Sequence, residues 1–382
     1  MTVQAPSLAE EVPPALAGWL TAALPEARPP LQFTRIAGGF SMFTWLFADQ
    51  AGHSWVLRHR PPGTHQGRAH DTAREARVIG ALGDTAVPVP RLRAVGSDDD
   101  PLGLSCHVTD FVPGHVLANA RDASSYVTPQ ALAVASRDVV AALAALHAVD
   151  PDAIGLGDLS PRTGYVERQF RRWSGVVDGV AFRDSGTVTL FQATGDQLLR
   201  RMPADRTGGI VHGDYRLGNA ITGDDGTIRA ILDWELVTLG DPLADVGMMA
   251  AFWDPPADAM LGTRMPTAAP GAISVGDALE QYARLFATDL GDIAFYQAFA
   301  CWRLAATGLR SWARYESGAM GETYDTSKFI TAAGAWLEYA RQLLASKLSR
   351  SPAMLPSRGP SPVSSACSRR LFRPGPPREA RG

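Results

Sequence analysis

Residues 212–219, HGDYRLGN, decide the fold of this chain, and residues 231–235, ILDWE, complete their meaning. The octet sets a carboxylate, Asp214, two positions after His212 and a carboxamide, Asn219, five positions later; a second carboxylate, Asp233, stands fourteen residues beyond. An HGD triplet alone reads as an ordinary turn, because His, Gly and Asp are all common in turns. The whole octet, preceded by the apolar run GIV and followed by an Asp at the end of another apolar run, is far more specific. It offers two carboxylates and a carboxamide, oxygen donors of the kind that a hard cation takes.

Working outward, the chain changes character on either side of residue 114. Residues 31–36 (LQFTRI), 43–47 (FTWLF) and 54–58 (SWVLR) read as strands, with AGGFSM between the first two. Residues 70–82 read as a helix, and VPVPRLRAV and LSCHVTDFV as two more strands, the last ending at Pro113 and Gly114. Beyond that point helices dominate, at 129–147, 277–288 and 293–316, while 209–212 and 228–233 suit a small hairpin. Residues 8–24 carry a leading helix. Residues 349–382, rich in Pro, Ser, Gly and Arg, are expected to form a disordered tail.

At 382 residues and 46% hydrophobic content, the chain can bury a substantial core. Its 36 basic and 39 acidic residues nearly cancel, which gives no global attraction to nucleic acid or to an anionic membrane. Three scattered cysteines without a CxxC pair suggest neither a disulfide framework nor a zinc site. An acidic N-terminus lacking an apolar run, and no stretch read as membrane-spanning, point to a cytoplasmic protein. Lys328 and Lys347 are its only lysines, so arginine performs nearly every cationic task.

The order His-x-Asp-x-x-x-x-Asn followed by Asp matches the catalytic loop of kinases. The chain resembles the aminoglycoside phosphotransferase family across residues 30–345, most strongly at 209–247. That resemblance implies an α+β, bilobal, protein-kinase-like fold: a β-rich N-terminal lobe (1–108), a connector (109–114) and a mostly helical C-terminal lobe (115–348). It implies ATP and Mg²⁺ as cofactors and a small-molecule hydroxyl as acceptor. Asp214 would orient and deprotonate that hydroxyl, Asn219 and Asp233 would hold magnesium, and Arg216 would reach the γ-phosphate.

The lysine that such kinases place on the third strand is missing here. Val56 and Arg58 share one strand face, which puts Val56 near the adenine and Arg58 where the lysine would reach, paired with Glu75 on the helix. Arginine's planar fork suits phosphate oxygens, but its geometry and hydration differ from lysine's. In the phosphate-covering position, residues 37–44, Gly38 and Gly39 allow close approach, and Ser41 and Thr44 offer hydrogen bonds, although Met42 stands where relatives often carry a polar residue. Asp110, Phe111 and Val112 would present backbone to adenine. Asp241 and Asp245 read as structural, Asp245 bracing the loop; Glu235 faces metal, substrate or solvent. His53, His59, His65 and His70 fit no zinc spacing.

Arginines in RTGYVERQFRR (162–172), and Arg303, Arg310 and Arg314 interleaved with Trp302 and Trp312, suit an anionic acceptor. TGYVERQFRRW, HGDYRLGN and ILDWELVTLGDPLADVG also resemble the kinase-like domain of multidomain acyl-CoA dehydrogenases, which implies a hydroxyacyl-CoA or hydroxy acid. An aminoglycoside or amino-sugar kinase is one alternative. A nucleotide-binding pseudokinase, suggested by Arg58 and Met42, is another.

Overall fold

The computed structural model describes residues 14–36, 42–59, 71–98, 103, 105–178, 185–204, 206, 208–316 and 325–346. Helix α1 (Pro14–Ala23) leads into a five-stranded antiparallel sheet built from β1 (Gln32–Arg35), β2 (Phe43–Ala48) and β3 (Ser54–His59). After α2 (Thr72–Leu82) come β4 (Leu92–Gly96) and β5 (Cys106–Asp110), and the spatial order is β1-β2-β3-β5-β4. Burial alternates along β3: Trp55 and Leu57 point into a core with Leu16 and Leu20 of α1 and Leu24 just beyond it, while Val56 and Arg58 face the other way. One face of the sheet is therefore closed by α1, and the other is left for the site.

Helix α2 joins the sheet to the rest of the molecule. Asp71 caps it by accepting the Arg74 amide, and Val78, Ile79 and Leu82 belong to the apolar cluster of the helical lobe rather than to that under α1. Arg74 donates to the carbonyls of Leu159 and Val237, both at 2.9 Å, so the helix carrying Glu75 is tied across the two lobes.

Chain order continues through β6 (His115–Val116), α3 (Ala120–Tyr126), α4 (Pro129–Ala148), α5 (Tyr165–Asp178), α6 (Ser185–Leu199) and β7 (Gly209–Val211). Then follow β8 (Ala220–Thr222), β9 (Ile228–Ile231), β10 (Thr238–Gly240), α7 (Leu243–Ala251), α8 (Val275–Leu285), α9 (Ile293–Glu316) and α10 (Ser327–Ser346). The hairpin expected between 209–212 and 228–233 does not form. β9 pairs with β8 through the Gly223–Gly226 turn, and β7 pairs instead with β10, so the octet is suspended between two small sheets.

Helix α4 corrects a second expectation. Its 20 residues are long and apolar enough to cross a membrane by length and composition. Here Val139, Val140, Leu143 and Leu146 lie in the core of the helical lobe, which explains the composition without a bilayer. Residues 351–382, including Cys367, lie outside the described residues.

Helices α7 and α9 pack through a glycine. A Cβ built on Gly247 would sit 2.4 Å from the Tyr296 carbonyl carbon, so only hydrogen fits there. Gly247→Ala should cost about 1–3 kcal/mol through overpacking, measured by urea denaturation. An unchanged midpoint would contradict this helix contact.

Candidate active site

Strand β7 delivers the chain into a loop held by buried charge. The His212 amide donates to Asp245 Oδ2 at 2.6 Å and the Gly213 amide to Asp245 Oδ1 at 2.8 Å. Asp245 is fully buried in the first turn of α7; burial pushes its pKa up, but the hydrogen bond from His147 and these neighbours bring it below the ordinary value. His212 Nε2 donates to the Leu232 carbonyl at 2.9 Å, leaving Nδ1 to accept the Asp214 amide at 3.3 Å. Gly213 has φ +91°, and a Cβ there would meet the Leu236 carbonyl oxygen at 2.9 Å, so glycine is required on both counts.

Asp214 and Asn219 are brought together directly. Asn219 Nδ2 donates to Asp214 Oδ2 at 2.9 Å and to the Asp214 carbonyl at 2.8 Å, which leaves Asn219 Oδ1 as the atom available to a cation. The Leu232 amide donates to the Asn219 carbonyl at 2.8 Å, fixing the octet against the segment that ends in Asp233. Asp233 adopts φ +67°, in the left-handed region, and its side chain is about one third exposed. Arg58 Nη2 donates to Asp233 Oδ1 at 2.9 Å; among the described residues no hydrogen bond engages Oδ2. Oxygen donors of a carboxylate and a carboxamide fit magnesium.

Arg58 anchors the opposite side of the cleft. Its Nη1 donates to Glu75 Oε1 at 2.8 Å, and Nη2 also lies 3.9 Å from Glu235 Oε2. Three carboxylates thus surround one guanidinium. Burial pushes Glu75 up to about 6 against the pull of Arg58, and burial followed by Asp233 pushes Glu235 up to about 7. His107, opposite Arg58 across the β3–β5 pair, is pushed down to about 3 by burial and the Arg58 charge.

The residues expected at the ligand are engaged to different degrees. Glu75 is 3% exposed and sits behind Arg58, paired with it as expected. Met42 is buried. The Asp110 amide is already spent on the Arg91 carbonyl at 2.9 Å, which leaves its carbonyl for a ligand. The Val112 amide donates to no backbone carbonyl among the described residues. Thr44 lies directly across from Arg58 in the β2–β3 pair, whereas Gly38, Gly39 and Ser41 lie outside the described residues, as do His65 and His70. Among the described residues, His53 pairs with Asp49, His59 accepts from Trp45, and no cluster of three metal-ligating side chains occurs.

On the far side of Asp214 a cavity of about 590 Å³ opens, lined by Asp214, Glu235 and five arginines: Arg172, Arg216, Arg303, Arg310 and Arg314. Leu236, Met248, Phe252, Met260 and Met265 supply an apolar wall. Arg216, expected near the γ-phosphate, lines this cavity, with Nε 3.6 Å from Asp214 Oδ2 and its guanidinium 5.4 Å from the Phe252 ring. Of the arginines in 162–172 only Arg172 reaches the cavity; Arg162 pairs with Asp152, Arg168 with backbone carbonyls and Arg171 with Glu167. Trp302, expected among surface arginines, is fully buried and stacked between Phe170 and Phe191 at 4.5 and 4.6 Å.

A model of the phosphotransferase enzyme family matches residues 32–285, about two thirds of the chain. The chain belongs to this family. It is a small-molecule phosphotransferase with an alcohol group as acceptor. It is similar to acyl-CoA dehydrogenase family member 11 of Rattus norvegicus, 28% identical over 80% of this chain and 39% of that protein. It is also similar to family member 10 of Mus musculus, 28% identical over 72% of this chain and 26% of that protein. The phosphotransferase therefore spans well under half of the curated relatives it matches. Among solved structures it resembles a Ralstonia eutropha protein provisionally designated an aminoglycoside phosphotransferase, at TM-score 0.71 and 26% identity, covering 86% of this chain and 98% of that one. The fold is shared with aminoglycoside phosphotransferase APH(4)-Ia, solved with AMP-PNP and hygromycin B, at TM-score 0.56 and 16% identity over 88% of this chain and all of that one.

What sequence reasoning missed in this phosphotransferase is the support of the loop from α9. Arg303, ninety residues from Gly213, donates to its carbonyl at 3.1 Å, and nothing local in either segment signals that contact. The Arg58 cluster yields a direct test. Arg58→Met strands the buried Glu75 and should cost about 3–5 kcal/mol, whereas adding Glu75→Met should recover most of the loss. Additive losses in a double-mutant cycle of urea melts would contradict the pairing.

Proposed function

We propose that this phosphotransferase moves the γ-phosphoryl group of ATP, with Mg²⁺, onto a hydroxyl of a small anionic molecule, a hydroxy acid or a hydroxyacyl-CoA. The observation that carries this reading is the position of Asp214. Its carboxylate is held by Asn219 on the side of Asp233 and Arg58, and it opens on the other side into the arginine-lined cavity. A hydroxyl entering from that cavity meets a fixed base on its way to the nucleotide.

Phosphoryl transfer asks little covalent chemistry of side chains, so positioning and charge stabilisation supply most of the rate. Adenine would lie against Val56, donating its amino group to the Asp110 carbonyl and accepting from the Val112 amide. Asn219 and Asp233 would hold Mg²⁺, whose charge offsets that of the phosphate oxygens. Arg58, tethered by Glu75, would turn its fork from Asp233 toward the phosphates. Asp214 would take the hydroxyl proton as the oxygen–phosphorus bond forms and the bond to the ADP oxygen breaks.

The acceptor assignment is supported by the five arginines against two carboxylates in the cavity wall, a poor surface for an aminoglycoside polycation and a good one for an anion. Similarity to the acyl-CoA dehydrogenase family members supports an acyl thioester or its acid. The ternary complex of the structural neighbour with AMP-PNP supports ATP as the donor.

Transfer of label from γ-labelled ATP to a panel of hydroxy acids, hydroxyacyl-CoAs, neutral sugars and aminoglycosides tests this reading. Label should enter the anionic acceptors, with turnover reduced about 10²–10⁴-fold by Asp214→Asn at unchanged ATP affinity. Asp233→Ala should abolish magnesium-dependent transfer. Wild-type turnover by Asp214→Asn would overturn the mechanism, and equal labelling of neutral sugars would overturn the acceptor.

A further inference from the structure

We propose that Arg303 is a positioning residue for Asp214, forming with Asp245 a two-charge clamp on the Gly213 peptide; this rests on the reading of Asp214 as the base. Both polar groups of Gly213 are held by buried side chains of opposite charge. Its N–H donates to Asp245 Oδ1 of α7 at 2.8 Å, and its carbonyl accepts from Arg303 Nη2 of α9 at 3.1 Å. The clamped carbonyl belongs to the peptide whose nitrogen is that of Asp214. Its plane therefore sets where the Asp214 side chain leaves the backbone.

The burial of Arg303 argues that this contact is selected for more than packing. The residue is 4% exposed, and among the described residues it forms no ion pair with a carboxylate. Its remaining bonds are weak: Nη1 donates to the Tyr165 hydroxyl at 3.4 Å, Nε has no partner, and the guanidinium lies 5.7 Å from the Trp173 ring. A buried cation so poorly compensated is costly, and an apolar side chain would fill the same place on α9 at lower cost. Beside its share in the positive wall of the cavity, the charge supplies a charge-assisted bond to one carbonyl in a low-dielectric setting.

Gly213 makes such a bond necessary. Its backbone at φ +91° is open to glycine in either hand, so the loop that needs glycine to clear Leu236 is also the loop freest to rotate. Asp245 alone restrains one edge of the residue. Arg303 restrains the other, and the close α7–α9 contact at Gly247 keeps the two charges at a fixed separation.

Hydrogen exchange across residues 209–216, together with steady-state kinetics, tests the clamp in Arg303→Lys and Arg303→Ala. Amides of this segment should exchange about tenfold faster than in the wild type while the α4 core stays protected. The kcat should fall about 10–100-fold with the KM for ATP nearly unchanged. Methylguanidinium, entering through the cavity, should restore part of the turnover of Arg303→Ala and none of that of Asp214→Asn. Wild-type exchange across 209–216 in the folded variants would overturn the clamp whatever the acceptor proves to be. A wild-type turnover indifferent to Asp214 would overturn the functional reading instead.

Discussion

One buried carboxylate organises the site. Asp245 accepts two consecutive backbone amides, from His212 and Gly213, and the same side chain meets His147, whose other nitrogen lies 2.7 Å from the Tyr282 hydroxyl. A carboxylate removed from water is tolerated only when its lone pairs are filled, and here backbone donors fill them. The consequence is rigidity where the chain would otherwise be loose: a glycine-containing loop is tied to α7, and through α7 to the largest core of the protein.

On the two sides of Asp214 the electrostatics are opposite. Toward β3, a single guanidinium is shared among Glu75, Asp233 and Glu235; the two contacts below 3 Å carry direct hydrogen bonds, and the 3.9 Å approach of Glu235 carries none. An excess of acid on that side suits a divalent cation arriving with a nucleotide. Toward α9, arginines outnumber acids and share the wall with methionines and a phenylalanine. Arg310 shows the imbalance: burial and then Arg314 push its pKa down, with only Glu235 pulling the other way. Asp214 stands on the boundary between the two.

Much of this was legible in sequence because the decisive residues are close together in the chain. The octet and Asp233 lie within one segment; the face of Arg58 follows from strand periodicity, and its pairing with Glu75 from the family resemblance. Long-range choices were not legible. Whether β7 would pair with β9 or β10 depends on the turn after β8 and on space beside Tyr165, against which Gly240 fits without a side chain. The arginines of residues 162–172 look alike in sequence, yet their fates differ because Asp152, Glu167 and backbone carbonyls capture three of them and leave Arg172 at the cavity. Trp302 likewise could be told from a surface aromatic only once Phe170 and Phe191 enclosed it.

A clamped Asp214 that delivers an acceptor hydroxyl to the nucleotide requires a single direct displacement. The stereochemical course at phosphorus, followed with ATP made chiral by oxygen isotopes in its γ-phosphoryl group, tests this most directly. One in-line transfer inverts the configuration in the phosphorylated product, and inversion is the expected result. Retention would mean that the group passes through a phosphorylated side chain in two steps, and would contradict the account.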